Sequence, residues 1–178
     1  MGVFKIDVEN MGWIGGVADD PQDLCLHGYV TVQFGDTVLE DTGTVSATAL
    51  YLLKTLTNDK LMAEYDIQMI PCCGHTLIAN DDLTEVTISG CDTGTDWSTI
   101  HEGDMVRFIL PSGQEETVTL RDYQYEVLDF AKKVKRFYDA CTPKEIPEDE
   151  FDRNGYTAFW NEWQRRYNEG LMLLSLET

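Results

Sequence analysis

Two short stretches of this 178-residue chain hold side chains that could do chemistry. The tetrapeptide Asp-Thr-Gly-Thr occurs twice, at Asp41–Thr44 and at Asp92–Thr95. Two aspartates brought into contact can share one proton and work as an acid–base dyad. The segment Pro71-Cys72-Cys73-Gly74-His75, with Cys91 further on, offers four ligands of the kind that hold zinc. Cys72 or Cys73 could also serve as a nucleophile with His75 or His101 as its base. The pairs Asp19-Asp20, Asp81-Asp82 and Glu102/Asp104 are possible oxygen ligands for a divalent cation.

The surroundings of these residues argue against most of that chemistry. A buried dyad needs an apolar strand before each aspartate, yet Glu40 precedes Asp41 and Gly90-Cys91 precede Asp92. Asp-Thr-Gly suits a polar turn, where Asp bonds the backbone ahead of it and Gly takes positive φ, and both copies are read that way. The cysteines lack a Cys-x-x-Cys knuckle. In an extended chain Cys72 and Cys73 would point to opposite faces, which leaves Cys73 and His75 looking the same way. None of the carboxylate pairs follows the spacing of a calcium loop, so they read as solvated loop charges. Five cysteines, an odd and scattered set in a chain without a secretory leader, are expected to be reduced thiols, mostly buried.

Charge is the most distinctive bulk property. The chain holds 32 acidic and 13 basic residues, a net of −19. Residues 1–120 hold 20 acidic and 4 basic, and 121–178 hold 12 and 9. Such a field repels nucleic acid and anionic membrane and speeds encounter with a cationic protein. No apolar run approaches the ~20 residues that span a bilayer. The start MGVFKIDVEN has no hydrophobic leader, and Ile6 stands where a myristoylation signal wants Ser or Thr. A soluble, cytoplasmic, one-domain protein is expected.

Elements must position these residues. FKIDVEN, YVTVQF and TVLE alternate apolar and polar residues as half-buried strands do, and Gly35-Asp36 suits a tight hairpin between the last two. From Thr44, the residues Val45, Ala49, Leu52, Leu53 and Leu56 recur at helical spacing, with Thr44 or Ser46 as the cap and an end near Asn58. Short β-rich runs follow at 75–79, EVTISG, DWSTIHE, MVRFIL and ETVTLR, an antiparallel meander. Two helices close the chain. In the first, Val127, Phe130, Ala131, Val134, Phe137, Tyr138 and Cys141 form one stripe, with Lys132, Lys133, Lys135 and Arg136 outward and Thr142-Pro143 as the stop. In the second, Phe151, Tyr156, Phe159, Trp160, Trp163 and Tyr167 repeat at helical spacing. Acidic residues crowd its start, Arg165 and Arg166 fall in its last turn, and Gly170 ends it. The fold class is therefore α+β, a mostly antiparallel sheet with one internal helix and two C-terminal helices packed on it.

Five phrases, DDPQDLCLHGYVTV, VSATALYLLKTL, PCCGHTLI, ISGCDTGTDWSTIHEG and EDEFDRNGYTAFWNEWQRR, resemble a group of small acidic bacterial proteins of unassigned activity, and the likeness covers most of residues 13–166. In general character the chain is also similar to immunity proteins, compact acidic cytoplasmic proteins that cover a basic toxin domain. That likeness implies a binding protein with a basic protein partner, a toxin in the immunity-type case, and neither nucleic acid nor membrane. The contacts expected are Asp19, Asp20, Asp23, Asp81, Asp82, Glu102 and Asp104, in loops of the most acidic region. No cofactor is implied. The alternative is a small hydrolase or zinc-dependent enzyme around Cys72, Cys73, His75 and Cys91.

Overall fold

A computed structural model describes residues 2–62, 68–74 and 76–176. In chain order the elements are β1 (Phe4–Gly12), β2 (His27–Phe34), β3 (Thr37–Thr44), α1 (Val45–Lys54), β4 (Ile70–Pro71), β5 (Thr76–Ala79), β6 (Val86–Ser89), β7 (Gly94–Thr95), β8 (Ser98–Glu102), β9 (Met105–Ile109), β10 (Glu115–Thr119), α2 (Leu120–Ala140) and α3 (Glu150–Leu176). The class is α+β with antiparallel sheets, one internal helix and two C-terminal helices, as the periodicities predict. Among the described residues the strands do not form one sheet. They fall into β1-β2-β3, β8-β9-β10, β4-β7 and β5-β6. No helix among the described residues is long and apolar enough to cross a membrane.

Alternation sets the first sheet. Phe4, Ile6 and Val8 of β1 and Val30, Val32 and Phe34 of β2 face inward, and Gly35, at φ +57°, makes the two-residue turn to β3. Phe4 stacks on Phe108 of β9 at 5.0 Å, and Phe34 meets the edges of Phe108 and Trp97 at 5.0 and 5.3 Å. This aromatic cluster joins the two three-stranded sheets, each ring contact adding about 1 kcal/mol to the burial of its area.

The internal helix is more deeply placed than its stripe implies. Every residue from Val45 to Leu53 is buried, including Ser46, Thr48 and Tyr51. Thr44 occupies the N-cap position but makes no capping hydrogen bond with its side chain. Ser46 Oγ instead accepts from Leu26 N at 3.2 Å, tying the helix start to the loop before β2. In α2, by contrast, the N-cap Thr119 does cap the helix, its Oγ1 accepting from Asp122 N at 3.0 Å.

Two expectations for α3 are corrected. Gly170 does not end the helix, which runs on to Leu176. A Cβ at position 170 would lie 2.6 Å from Leu56 Cδ1 and 3.0 Å from Leu128 Cδ2, so a larger residue would push these side chains aside where α3 packs close to α2 and the chain just past α1. Arg165 and Arg166 are accordingly not in the last turn, and they pair with Glu85 and Glu162. Phe151, counted in the aromatic stripe, is half exposed, whereas Tyr156, Phe159 and Trp163 are buried.

Glu162 was not singled out by any sequence pattern, yet it is fully buried at the meeting of three elements. Its carboxylate accepts from Val86 N at 2.8 Å and from Arg166 Nε at 2.7 Å, and lies 3.2 Å from Lys54 Nζ. Lys54 in turn donates to Val86 O at 2.8 Å. One carboxylate thus fixes the end of α1, the start of β6 and the middle of α3. Removing it leaves Arg166 and the Val86 N–H buried without a partner. Glu162→Ala is expected to lower unfolding free energy by about 3–5 kcal/mol, and Glu162→Gln by less, since the amide keeps one acceptor. Urea denaturation of the three proteins checks the order.

Candidate functional site

The 70–74 and 90–95 segments meet because β4 and β7 pair, Ile70 opposite Thr95 and Pro71 opposite Gly94. Just beyond the pairing, Cys72 N donates to Thr93 O at 3.0 Å. On the other side, Gly90 passes so close to Cys73 that a Cβ there would lie 2.1 Å from the Cys73 carbonyl oxygen. These contacts put Cys91 beside Cys72 and Cys73, and the three Sγ atoms all lie within 4.8 Å of one another. The expectation that adjacent cysteines face apart fails because the chain bends at Cys72 and is not extended there. Nor are the thiols mostly buried: Cys72 and Cys91 are exposed, while Cys25, Cys73 and Cys141 are half-buried.

Hydrogen bonds order the cluster. Cys73 Sγ donates to Cys91 Sγ at 2.9 Å, Cys91 N donates to Cys73 Sγ at 3.0 Å, and Thr93 Oγ1 lies 3.0 Å from Cys91 Sγ. The bond from Cys73, with those from Thr93 and Cys72, draws the Cys91 thiol down to about 6. The same bond pushes the Cys73 thiol up, because the proton it donates is held by the neighbouring sulfur. Cys25 behaves oppositely to Cys91: burial drives its thiol up to about 12, and its Sγ donates to Gly74 O at 3.2 Å. The cluster opens on a cleft of about 240 Å³ whose walls include Tyr51, Gln68, Ile88 and Asp92.

His75 lies outside the described residues. His101, the other proposed base, is on β8 with its Nδ1 2.9 Å from Asp59 Oδ1, and it does not line the thiol cleft. The two Asp-Thr-Gly-Thr stretches do come together, but not as a dyad. Asp41 accepts from Thr42 N and from Thr95 Oγ1, both at 2.8 Å, so its partners are an amide and a hydroxyl. The first stretch is the end of β3 and not a turn, a correction that follows from its pairing with β2.

The seven acidic residues fall in three places. Asp19, Asp20 and Asp23 are half-buried and organise the loop before β2. Asp19 accepts from Thr142 N at 2.7 Å, Asp20 from Gln22 N at 2.9 Å, and Asp23 from Ile14 N and Cys25 N at 2.8 and 3.0 Å. The bonds from Thr142 hold the Asp19 carboxyl below its ordinary range. Asp81 and Asp82 are exposed at the β5–β6 turn. Glu102 and Asp104 flank Gly103 at the β8–β9 turn, with Glu102 bonded to Arg107 Nε at 2.7 Å. Among the described residues, no side-chain contact joins the three groups.

Compared with family models, with curated proteins and with solved structures, the chain matches none.

The thiolate is the nucleophile, so Cys91 is expected to alkylate with a rate that rises through a midpoint near pH 6, well below the ~8.5 of an ordinary thiol. Peptide mapping after iodoacetamide across pH 5–9, an interval of about two units either side of neutrality, reads the midpoint. Gly90→Ala forces Cys73 and Cys91 apart, and in that variant the midpoint is expected to return toward the ordinary thiol range.

Proposed function

We propose that this chain is an acidic binding protein of the cytoplasm that engages a basic protein partner, a toxin domain in the immunity-type form of the reading. What supports it is the balance of free and committed charge. Of the four basic residues in the first 120, three are held in ion pairs: Lys54 with Glu162, Lys60 with Asp96, and Arg107 with Glu102 and Glu115. By contrast, Asp81, Asp82 and Asp104 are exposed and, among the described residues, their carboxylates make no hydrogen bond or ion pair. The outer face of β1–β3 adds Glu9, and Glu40 beside Tyr29. Three of the four basic residues of this region are thus already paired with carboxylates while the carboxylates of Asp81, Asp82 and Asp104 are left over at the surface, an arrangement that steers a cationic protein toward it.

The competing reading is a thiol or zinc hydrolase at the cleft, favoured by the lowered Cys91 thiol. Of its two candidate bases, His75 lies outside the described residues and His101 does not line the cleft.

Charge reversal tests the binding reading. Asp81→Lys, Asp82→Lys and Asp104→Lys together move the net charge from −19 to −13, two units per substitution, and break no side-chain contact. The association rate with the basic protein retained on the immobilised chain is expected to fall about tenfold at low salt and to lose most of its salt dependence, with thermal stability unchanged. Retention of no basic protein, or kinetics equal to the parent's, would overturn the reading.

A further inference from the structure

The three clustered thiols, of which Cys73 and Cys91 line the cleft, have no task in partner binding, and they are the most concentrated ligand set among the described residues. We propose that Cys72, Cys73 and Cys91 form a three-thiolate site for one thiophilic d¹⁰ cation, zinc foremost, at the rim of the cleft.

Geometry carries the proposal. Tetrahedral zinc with Zn–S bonds of about 2.3 Å sets its sulfurs about 3.8 Å apart. Here the sulfurs of Cys73 and Cys91 are 2.9 Å apart and every pair of the three is within 4.8 Å. An ion between them therefore asks for sulfur shifts of about 1 Å, within reach of χ1 adjustment. The protein frame is already cross-linked around the ligands: the β4–β7 pairing and the bond from Cys72 N to Thr93 O hold one side, and the Gly90 approach to Cys73 holds the other. Ligands from two segments 18 residues apart are thus placed before any ion arrives.

The charge of the described residues around the cluster suits a bound cation. Reactive cysteines of enzymes sit beside Lys, Arg, protonated His or a helix N-terminus, which stabilise the thiolate. None of the described residues lining this cleft is Lys or Arg, and Asp92 stands on its wall. Three thiolates in an anionic wall of a chain at −19 are compensated by a bound dication. Sulfur ligands favour zinc or copper(I) over magnesium or calcium. Three thiolates also reduce the Lewis acidity of the ion, so it acts as a clip between the 72–74 and 90–93 segments and not as an activator of water.

The test uses the full chain, reduced with a phosphine and titrated with zinc ion alone against a chromophoric chelator. One zinc per chain is expected. Cys72→Ser, Cys73→Ser and Cys91→Ser are each expected to weaken binding by at least about 100-fold, while Cys141→Ser leaves it unchanged. Cobalt(II) in place of zinc supplies a readout that needs no variant, because its sulfur-to-metal charge-transfer intensity counts thiolates, and three per ion are expected. Absence of stoichiometric uptake, a cobalt spectrum with two or fewer thiolates, or undiminished binding in the three serine variants would overturn the site. No partner protein enters these measurements, so this proposal and the binding reading stand or fall separately.

Discussion

The arrangement of this protein depends on the burial of α1. A helix with no solvent face must be covered on every side, and the covering layers here are β2, β4, α2 and α3. Burial on that scale is favourable only if each polar group carried inside finds a partner. Ser46 does so through Leu26 N, Thr48 through the carbonyl of Thr44 and Thr55 through Tyr123. Lys54, at the C-terminal end, is drawn onto Glu162 and Val86. The consequence is that α3, the last element in the chain, supplies the counter-ion for the first helix.

That enclosure also accounts for the divided strands. Four residues of β5 and four of β6 are held against α3, and the two-residue strands β4 and β7 bridge from β3 toward the cleft. A continuous sheet would have left α1 exposed on one face. The price of the division is irregular backbone between 72 and 74 and between 90 and 93, and the thiols occupy that irregular backbone. Local irregularity is what lets neighbouring cysteines converge, since a regular strand would have kept Cys72 and Cys73 on opposite faces.

Surface charge and the thiol cleft are physically independent. Asp81, Asp82 and Asp104 sit at hairpin turns whose backbone geometry does not need a carboxylate there, whereas Asp19, Asp20 and Asp23 are consumed by the loop they build. Equal charges in one composition therefore differ in availability. Only the first group is free to interact with something outside the chain at no structural cost.

Periodicity by itself determined the class, the hairpin at Gly35-Asp36, the internal helix and the buried stripes of α2 and α3, because apolar spacing is a local property that burial then enforces. Composition determined the anionic character. The tertiary structure alone decided that Glu162 is buried, that Gly170 is a crossing point instead of a terminus, that Asp41 answers Thr95, and that Cys91 joins Cys72 and Cys73. Each of these is a meeting of residues distant along the chain, and their proximity depends on how the layers close around α1, which no spacing within a single segment records.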